Sequence, residues 1–195
     1  MRKAAPLAAL AATALTLSAC AQSDRDDSGS GGDTGGTFTF GAAGAPEVFD
    51  PFYATDGETF RITRQIFEGL VEVKPGSAEL GPGLAESWEP SEDGKTWTFT
   101  LREGVKFSDG EALDAEAVCA NFDRWYNWTG LAASEAFGYY YNKLFKGYAS
   151  NPEDAVYKSC TPDGDNSVTI ELNKPFAGFI ASLSLPAFGM QSPSA

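Results

Sequence analysis

Apolar and polar residues alternate in several short segments of the chain, which is the pattern of a strand with one buried face. In Thr96–Leu101 every second residue is aromatic or leucine, and the residues between them are all threonine. The same period of two runs through Val168–Leu172, while Thr37–Phe40 and Val105–Phe107 show shorter alternations. The chain is therefore predicted to contain sheet strands with one face in a core.

Apolar residues three or four positions apart predict helices elsewhere. Val118, Phe122 and Trp125 lie on one stripe of a helix. Asp114 precedes this stripe and is a residue type that caps helix N-termini well. We interpret the stripe as core packing and not as a ligand contact. Similar spacing predicts a second helix within Glu58–Val71.

The remaining segments are predicted to be connections and packing elements. Gly130–Tyr157 is rich in aromatic residues, and packing is favoured over a ligand platform for its tyrosines. Pro175–Leu185 is apolar and predicted to be helical. Glycine and proline pairs predict turns at Lys74–Ser77, Asp109-Gly110 and Pro162–Gly164.

The first twenty residues have the organisation of a bacterial export signal. Two basic residues precede Ala4–Leu17, a charge-free stretch shorter than the roughly 20 residues of a membrane-spanning helix. The stretch ends in Leu17-Ser18-Ala19-Cys20, which resembles a lipobox. This resemblance implies cleavage before Cys20 and attachment of lipid to that residue. Residues 1–19 are therefore predicted to be a lipoprotein signal peptide, and an ordinary signal followed by an incidental cysteine is the alternative.

Residues 20–36 are predicted to be a flexible tether. Ala21–Gly36 contains no aromatic and no branched aliphatic residue, so it cannot bury enough apolar surface to offset the entropy of ordering. A flexible linker of this length spans on the order of 20 Å. The alternative is a disordered leader without a role. The folded body is expected over residues 37–195.

Composition and charge exclude several classes of function. The chain has 195 residues, of which 43% are hydrophobic, and 27 acidic against 14 basic residues give a net charge of −13. Such a chain lacks the basic face of a nucleic-acid-binding protein. It contains no histidine, which excludes Ser-His-Asp and Cys-His catalytic sets and histidine-ligated zinc. We predict no catalytic residues, no cofactor, no metal site and no nucleic-acid partner.

The three cysteines indicate one disulfide. If Cys20 carries lipid, Cys119 and Cys160 remain as an even pair in an oxidising compartment. We predict that these two form a disulfide, which would connect the Cys119 helix to the turn before the Val168 strand. Two buried free thiols are the alternative.

A series of motifs runs in a fixed order through the folded part. Phe49-Asp50-Pro51 comes first, and the later segments are Ile66–Val71, Leu84–Glu89, Asp93–Phe99, Leu101–Gly110 and Val168–Phe179. These motifs resemble the solute-binding proteins of ABC importers, family 5, the peptide and nickel type, which usually has Leu-Asp-Pro at the first motif. The resemblance covers residues 37–195, and the block 84–125 is its most specific part.

The resemblance implies an α/β fold of the periplasmic-binding-protein kind, type II, in which two lobes joined by a hinge enclose the solute. Family members are much longer than this chain. Residues 37–195 are therefore expected to form part of lobe one, including its inserted subdomain, with lobe two absent. The chain is interpreted as a fragment or a truncated product.

The resemblance also implies a ligand-binding loop. In peptide-binding relatives the loop after the first motif lines the cleft, and here it comprises Tyr53, Ala54, Thr55, Asp56 and Gly57. Small residues would let a ligand strand approach, and Gly57 would permit unusual backbone dihedrals. Thr55 and Asp56 would supply polar partners. A solvated Asp-Gly turn is the alternative.

The implied function is capture of a solute without chemistry. The protein is expected to bind an oligopeptide or another small solute and to deliver it to an ABC permease with its ATPase subunits. Its expected location is the extracytoplasmic face of the cell membrane, where the lipid on Cys20 anchors it. A surface lipoprotein that senses solutes or binds proteins is one alternative, and a glycosidase using two carboxylates is another.

Overall fold

The computed structural model describes residues 38–195. The helices and strands of the unit Gly41–Ala195 are, in chain order, α1 (Gly57–Thr63), β1 (Val71–Val73), β2 (Leu80–Pro82), β3 (Ala85–Pro90), β4 (Thr96–Leu101), α2 (Ala115–Tyr126), α3 (Tyr139–Leu144), β5 (Tyr157–Pro162), β6 (Ser167–Leu172) and α4 (Phe179–Ser182). Short 3-10 helices cover Pro51–Tyr53, Gly130–Ala133 and Pro186–Phe188. Among the described helices, none has the length and hydropathy that crossing a bilayer requires.

A four-stranded antiparallel sheet, in the order β3-β4-β6-β5, lies at the centre of this unit. Its central strands are the two that alternation predicted most clearly. Trp97 pairs with Ile170 and Phe99 pairs with Val168, so these side chains share one face. Phe99, Val168 and Ile170 are fully buried, whereas Thr98 on the other face is exposed. Both strand predictions are confirmed.

Helix α2 packs against the edge strand β5 through the predicted apolar stripe. Oδ1 of Asp114 accepts a hydrogen bond of 2.8 Å from the amide of Ala117, which is the capping contact that the sequence predicted. Val118, Phe122 and Trp125 are all buried. The helix, its cap and its core-facing stripe are therefore confirmed.

A disulfide joins Cys119 of α2 to Cys160, with 5.2 Å between the two Cα atoms. The expected position of Cys160 was wrong in one respect. This residue lies within β5 and not in a turn, because residues 163–166 supply the turn into β6. The cross-link therefore connects a helix to the edge strand beneath it.

Aromatic side chains fill the space between the sheet and the C-terminal segment. Phe179 is fully buried, and its ring lies 5.6 Å from Trp97, 6.3 Å from Phe99 and 6.2 Å from Phe145. Within the aromatic-rich segment Gly130–Tyr157, the buried aromatic residues are Tyr141, Phe145, Tyr148 and Tyr157. Packing is therefore the observed role of these four rings, as predicted.

One predicted helix is shorter than expected, and one predicted strand does not form in its described residues. The helix expected in Glu58–Val71 ends at Thr63, because Leu70 and Val71 are buried at the beginning of β1 and the chain must turn to reach them. Gly69 makes that turn possible, since a Cβ there would lie 2.8 Å from the carbonyl oxygen of Leu183. Phe38–Phe40 form no strand. Thr37 lies outside the described residues.

Two further segments are only partly regular. Val105–Phe107 contributes a single bridge between Lys106 and Ala112, and the chain reverses at Gly110, whose φ is +95°. Within Pro175–Leu185 only the four residues of α4 are α-helical.

Candidate functional site

The candidate loop, Tyr53–Gly57, connects a 3-10 turn to α1. Asp50 begins the turn, and its Oδ1 accepts a hydrogen bond of 3.0 Å from the amide of Phe52. Pro51 at the first position of the turn has the backbone angle that such a turn needs. The amide of Ala54 closes the turn by donating to the carbonyl of Pro51 across 3.2 Å. The Phe49-Asp50-Pro51 motif therefore fixes the backbone that leads into the loop.

The five predicted residues of the candidate loop differ in their access to solvent. Thr55 and Gly57 are exposed, and Tyr53 and Asp56 are partly buried. Ala54 is 2% exposed, so its side chain belongs to the core and cannot contact a solute. The loop can therefore meet a ligand with its backbone and with the side chains of Tyr53, Thr55 and Asp56.

Asp56 also has a structural role at the beginning of α1. Its Oδ1 accepts a hydrogen bond of 2.8 Å from the amide of Thr59 and caps α1. Hydrogen bonds from the amide and side chain of Thr59 hold the pKa of the Asp56 carboxyl below its usual range. The alternative of a solvated Asp-Gly turn is therefore wrong, because these two residues form the ionised cap and the first position of α1.

Gly57 does not have the conformational role that its residue type suggested. It is the first residue of α1, and it is not among the glycines with positive φ. A Cβ at this position would meet no atom within 4 Å. The expectation of unusual dihedrals at Gly57 was wrong, because the chain enters a regular helix there.

Tyr53 is held in a group of aromatic rings. Its ring centre lies 5.3 Å from Phe52, 5.5 Å from Trp128 and 6.5 Å from Phe137. Burial and the nearby Asp50 carboxylate raise the pKa of the Tyr53 hydroxyl, against a smaller opposing effect of Arg124. The hydroxyl therefore stays protonated at neutral pH and can both donate and accept a hydrogen bond.

Three residues distant in sequence support the loop, and the sequence did not identify them. Nη2 of Arg124 forms an ion pair with Oδ2 of Asp50, and its guanidinium lies 5.1 Å from the ring centre of Trp128. Gln191 donates from Nε2 to Oδ1 of Asp50 across 3.0 Å. The spacing of Arg124 and Trp128 places both residues on one side of α2 and its extension, and this feature of the sequence could have identified them. No feature of the sequence pointed to Gln191.

Three grooves on this unit are lined by residues outside the candidate loop. An open groove of about 480 Å³ runs between α2 and the C-terminal segment, beside Glu111, Asp114 and Glu116. Another, of about 230 Å³, lies between β1 and Leu185–Gly189. The third, of about 140 Å³, is lined by Arg124 and Gln191, which support the loop. Within residues 38–195, no group of three or more acidic residues or cysteines has a geometry that could hold a metal ion. Residues 53–57 line none of these three grooves.

The central and C-terminal parts of the chain match a known family. Residues 79–194 match the family model described as "Bacterial extracellular solute-binding proteins, family 5 Middle". This match covers more than half of the sequence, and it includes the sheet, α2 and the residues that support the candidate loop. The chain therefore belongs to family 5 of the bacterial extracellular solute-binding proteins, which confirms the resemblance seen in its motifs.

Individual relatives agree with this assignment. The dipeptide-binding protein of Escherichia coli is 37% identical over 76% of this chain and 28% of its own length. Heme-binding protein A of Haemophilus influenzae is 34% identical over 94% of this chain and 35% of its own length. These relatives are solute-binding proteins rather than enzymes. The chain spans about a third of the length of the curated relatives that it matches.

A solved structure gives the same fold. The HbpA2 protein of Haemophilus parasuis is 33% identical, with a TM-score of 0.65 over 78% of this chain and 30% of that protein. The α/β architecture of residues 38–195 is thus that of one part of a periplasmic binding protein, as the sequence predicted.

Proposed function

We propose that this chain is part of the solute-binding component of an ABC importer that captures oligopeptides and delivers them to a membrane permease. Membership of family 5 is the observation that carries the proposal. The name of the Escherichia coli relative, a dipeptide-binding protein, supports a peptide as the solute. Hemin is the competing ligand, since another relative is a heme-binding protein.

The candidate loop is the surface that would meet the peptide. Thr55 and Gly57 are exposed, so an extended peptide, which binds mainly through main-chain hydrogen bonds, could approach the backbone of this segment. The protonated hydroxyl of Tyr53 adds a donor at one end of the loop. The ionised carboxylate of Asp56 adds negative charge at the other end, where a cationic peptide group would be favoured.

The mechanism is binding coupled to closure. Residues 37–195 would supply part of lobe one, and contacts formed only in the closed state would favour closure over a second lobe. One lobe makes only a portion of these contacts. We therefore expect calorimetry to register no micromolar binding of mixed peptides to the 195-residue chain, and micromolar binding would contradict the division into lobes.

The N-terminal residues would hold the protein at the membrane. Residues 1–19 would direct export, lipid on Cys20 would anchor the mature chain, and residues 20–36 would be the tether. All of these lie outside the described residues. The lipid chains would contribute about 0.8 kcal/mol for each buried CH₂ group, which makes attachment to the extracytoplasmic face stable.

The loop can be tested by NMR at ligand concentrations that detect weak contacts. Amide spectra of the 195-residue chain would be recorded with a mixture of dipeptides and tripeptides, and separately with hemin, each up to several millimolar. We expect the peptides to shift the amides of residues 53–57 and hemin to leave them unchanged. Shifts caused by hemin alone, or peptide shifts confined to other residues, would contradict the proposal.

A matched pair of variants tests whether the loop itself makes the contact. Thr55→Lys adds a long side chain to the exposed loop, whereas Thr100→Lys adds the same side chain to the exposed face of the sheet. We expect Thr55→Lys to abolish the peptide-induced shifts and Thr100→Lys to retain them. Equal shifts in both variants would show that the loop is not the binding surface.

A further inference from the structure

Three separate parts of the chain meet at the carboxylate of Asp50. The amide of Phe52 and the side chain of Gln191 each donate to Oδ1 across 3.0 Å. Arg124 from α2 donates to Oδ2. Every oxygen of this carboxylate is therefore engaged, and the charge-assisted bond to Arg124 is the strongest type among the three.

Arg124 also reaches the candidate loop by a second route. Its guanidinium lies 5.1 Å from the ring centre of Trp128, and that ring lies 5.5 Å from the ring of Tyr53. One side chain thus contacts the residue that begins the 3-10 turn and the ring that packs against the first residue of the loop. Removing it would loosen both supports at once.

The position of Arg124 does not optimise its own hydrogen bonding. Its Nη1 is buried and has no acceptor among the described residues. A buried donor without an acceptor destabilises a fold. Contacts that stabilise one conformation of a loop at some loss of stability are found where that conformation serves a function.

We propose that Arg124 is a positioning residue for the candidate loop, acting through Asp50 on the backbone of residues 51–54 and through Trp128 on the Tyr53 ring. Its importance for solute binding rests on the proposed function, because only then does the loop contact a ligand. Its effect on the loop itself does not depend on any solute. A residue with a purely structural role would instead stabilise the whole unit evenly.

Amide hydrogen exchange of the full chain separates these two roles. We expect Arg124→Gln to accelerate exchange of the Phe52 and Ala54 amides by about tenfold, which is the scale for loss of one charge-assisted hydrogen bond. Amides in the β4–β6 ladder should keep their rates. Arg124→Lys retains the charge, so it should restore part of the protection at Phe52 and Ala54.

Arg102→Gln is the matched control. Nε of Arg102 donates to the carbonyl of Gly83 across 2.6 Å, so this variant also removes one arginine hydrogen bond, but one that involves neither Asp50 nor Trp128. It should leave Phe52 and Ala54 unchanged. Unchanged rates at these two amides in Arg124→Gln, or equal acceleration throughout the sheet, would overturn the proposal.

Two additional measurements complete the test. If Arg124→Gln does not fold, Asp50→Asn removes the same ion pair from its other side, and the same two amides must exchange faster. The peptide titration is then repeated with Arg124→Gln, where we expect weaker shifts at residues 53–57. If peptides shift no loop amide even in the unsubstituted chain, the proposed function fails, while the exchange rates still decide whether Arg124 positions the loop.

Discussion

The hydroxyl of Tyr157 donates a hydrogen bond of 2.9 Å to Oδ1 of Asp123, which ties the first residue of β5 to the outer side of α2. The ring of Tyr157 stacks on Phe122 with 5.6 Å between ring centres. The disulfide between Cys119 and Cys160 joins the same two elements one helical turn away. A polar bond, a ring contact and a covalent bond thus hold this helix on the sheet edge.

Buried tyrosines should make the folded unit less stable at high pH. Burial raises the pKa of Tyr148 to about 12, and burial together with the Asp123 contact raises the pKa of Tyr157. The unfolded chain loses these protons near the ordinary tyrosine pKa of about 10. The contribution of these tyrosines to the free energy of unfolding is therefore fully present below about pH 10. It is lost as the pH rises toward their pKa values in the folded chain.

We expect the free energy of unfolding in urea to fall by up to about 1.4 kcal/mol per pH unit for each such tyrosine above pH 10. Tyr157→Phe should reduce this slope. A slope that this variant leaves unchanged would contradict the assignment to Tyr157. The chain has no histidine, so no imidazole contributes to the pH dependence at neutral pH.

The disulfide should contribute measurably to stability. Cys119 and Cys160 are separated by 41 residues, and closing such a loop contributes about 2–4 kcal/mol in typical proteins. We expect the double variant Cys119→Ala, Cys160→Ala to lose this amount in urea unfolding. Thiol titration of the denatured, unreduced chain should detect neither cysteine, and two reactive thiols beyond Cys20 would show that the pair is not formed.

The sequence predicted the elements whose local pattern agrees with their final environment. Thr96–Leu101 and Val168–Leu172 alternate strictly and are paired in the centre of the sheet, and Asp114 caps the helix that it precedes. Glu58–Val71 has helical spacing, but its last residues are needed in β1, and burial of Leu70 and Val71 outweighs local propensity. The sequence pattern alone cannot show where tertiary packing overrides the local preference for a helix.

The candidate loop was found from a motif, whereas its supports were not. Asp50 was part of the motif, but its partners Arg124 and Gln191 lie 74 and 141 residues away, and no local pattern relates such positions. The role assigned to Gly57 failed for a related reason. A Gly after an Asp is common in turns, and it becomes the first residue of a helix only because Asp56 caps Thr59.

The core around Phe179 should be sensitive to truncation. This ring is fully buried between β4 and Phe145, so Phe179→Ala would leave a cavity and should cost about 3–5 kcal/mol. Phe49→Ala removes the same atoms from a side chain that is 63% exposed, and it should change stability by less than about 1 kcal/mol. Urea unfolding measures both. Similar losses in the two variants would contradict the packing described for Phe179.

Lipid attachment at Cys20 can be tested in a bacterial host that processes lipoproteins. Labelling with an alkyne-bearing fatty acid should mark the exported chain, because the predicted signal places Cys20 where lipid is transferred. We expect Cys20→Ala to lose the label and to be released from the membrane fraction. The Cys119→Ala, Cys160→Ala variant is the matched control, since it keeps Cys20 and should stay labelled. A label that persists in Cys20→Ala would show that lipid is attached elsewhere, and an unlabelled chain that is secreted freely would indicate an ordinary export signal.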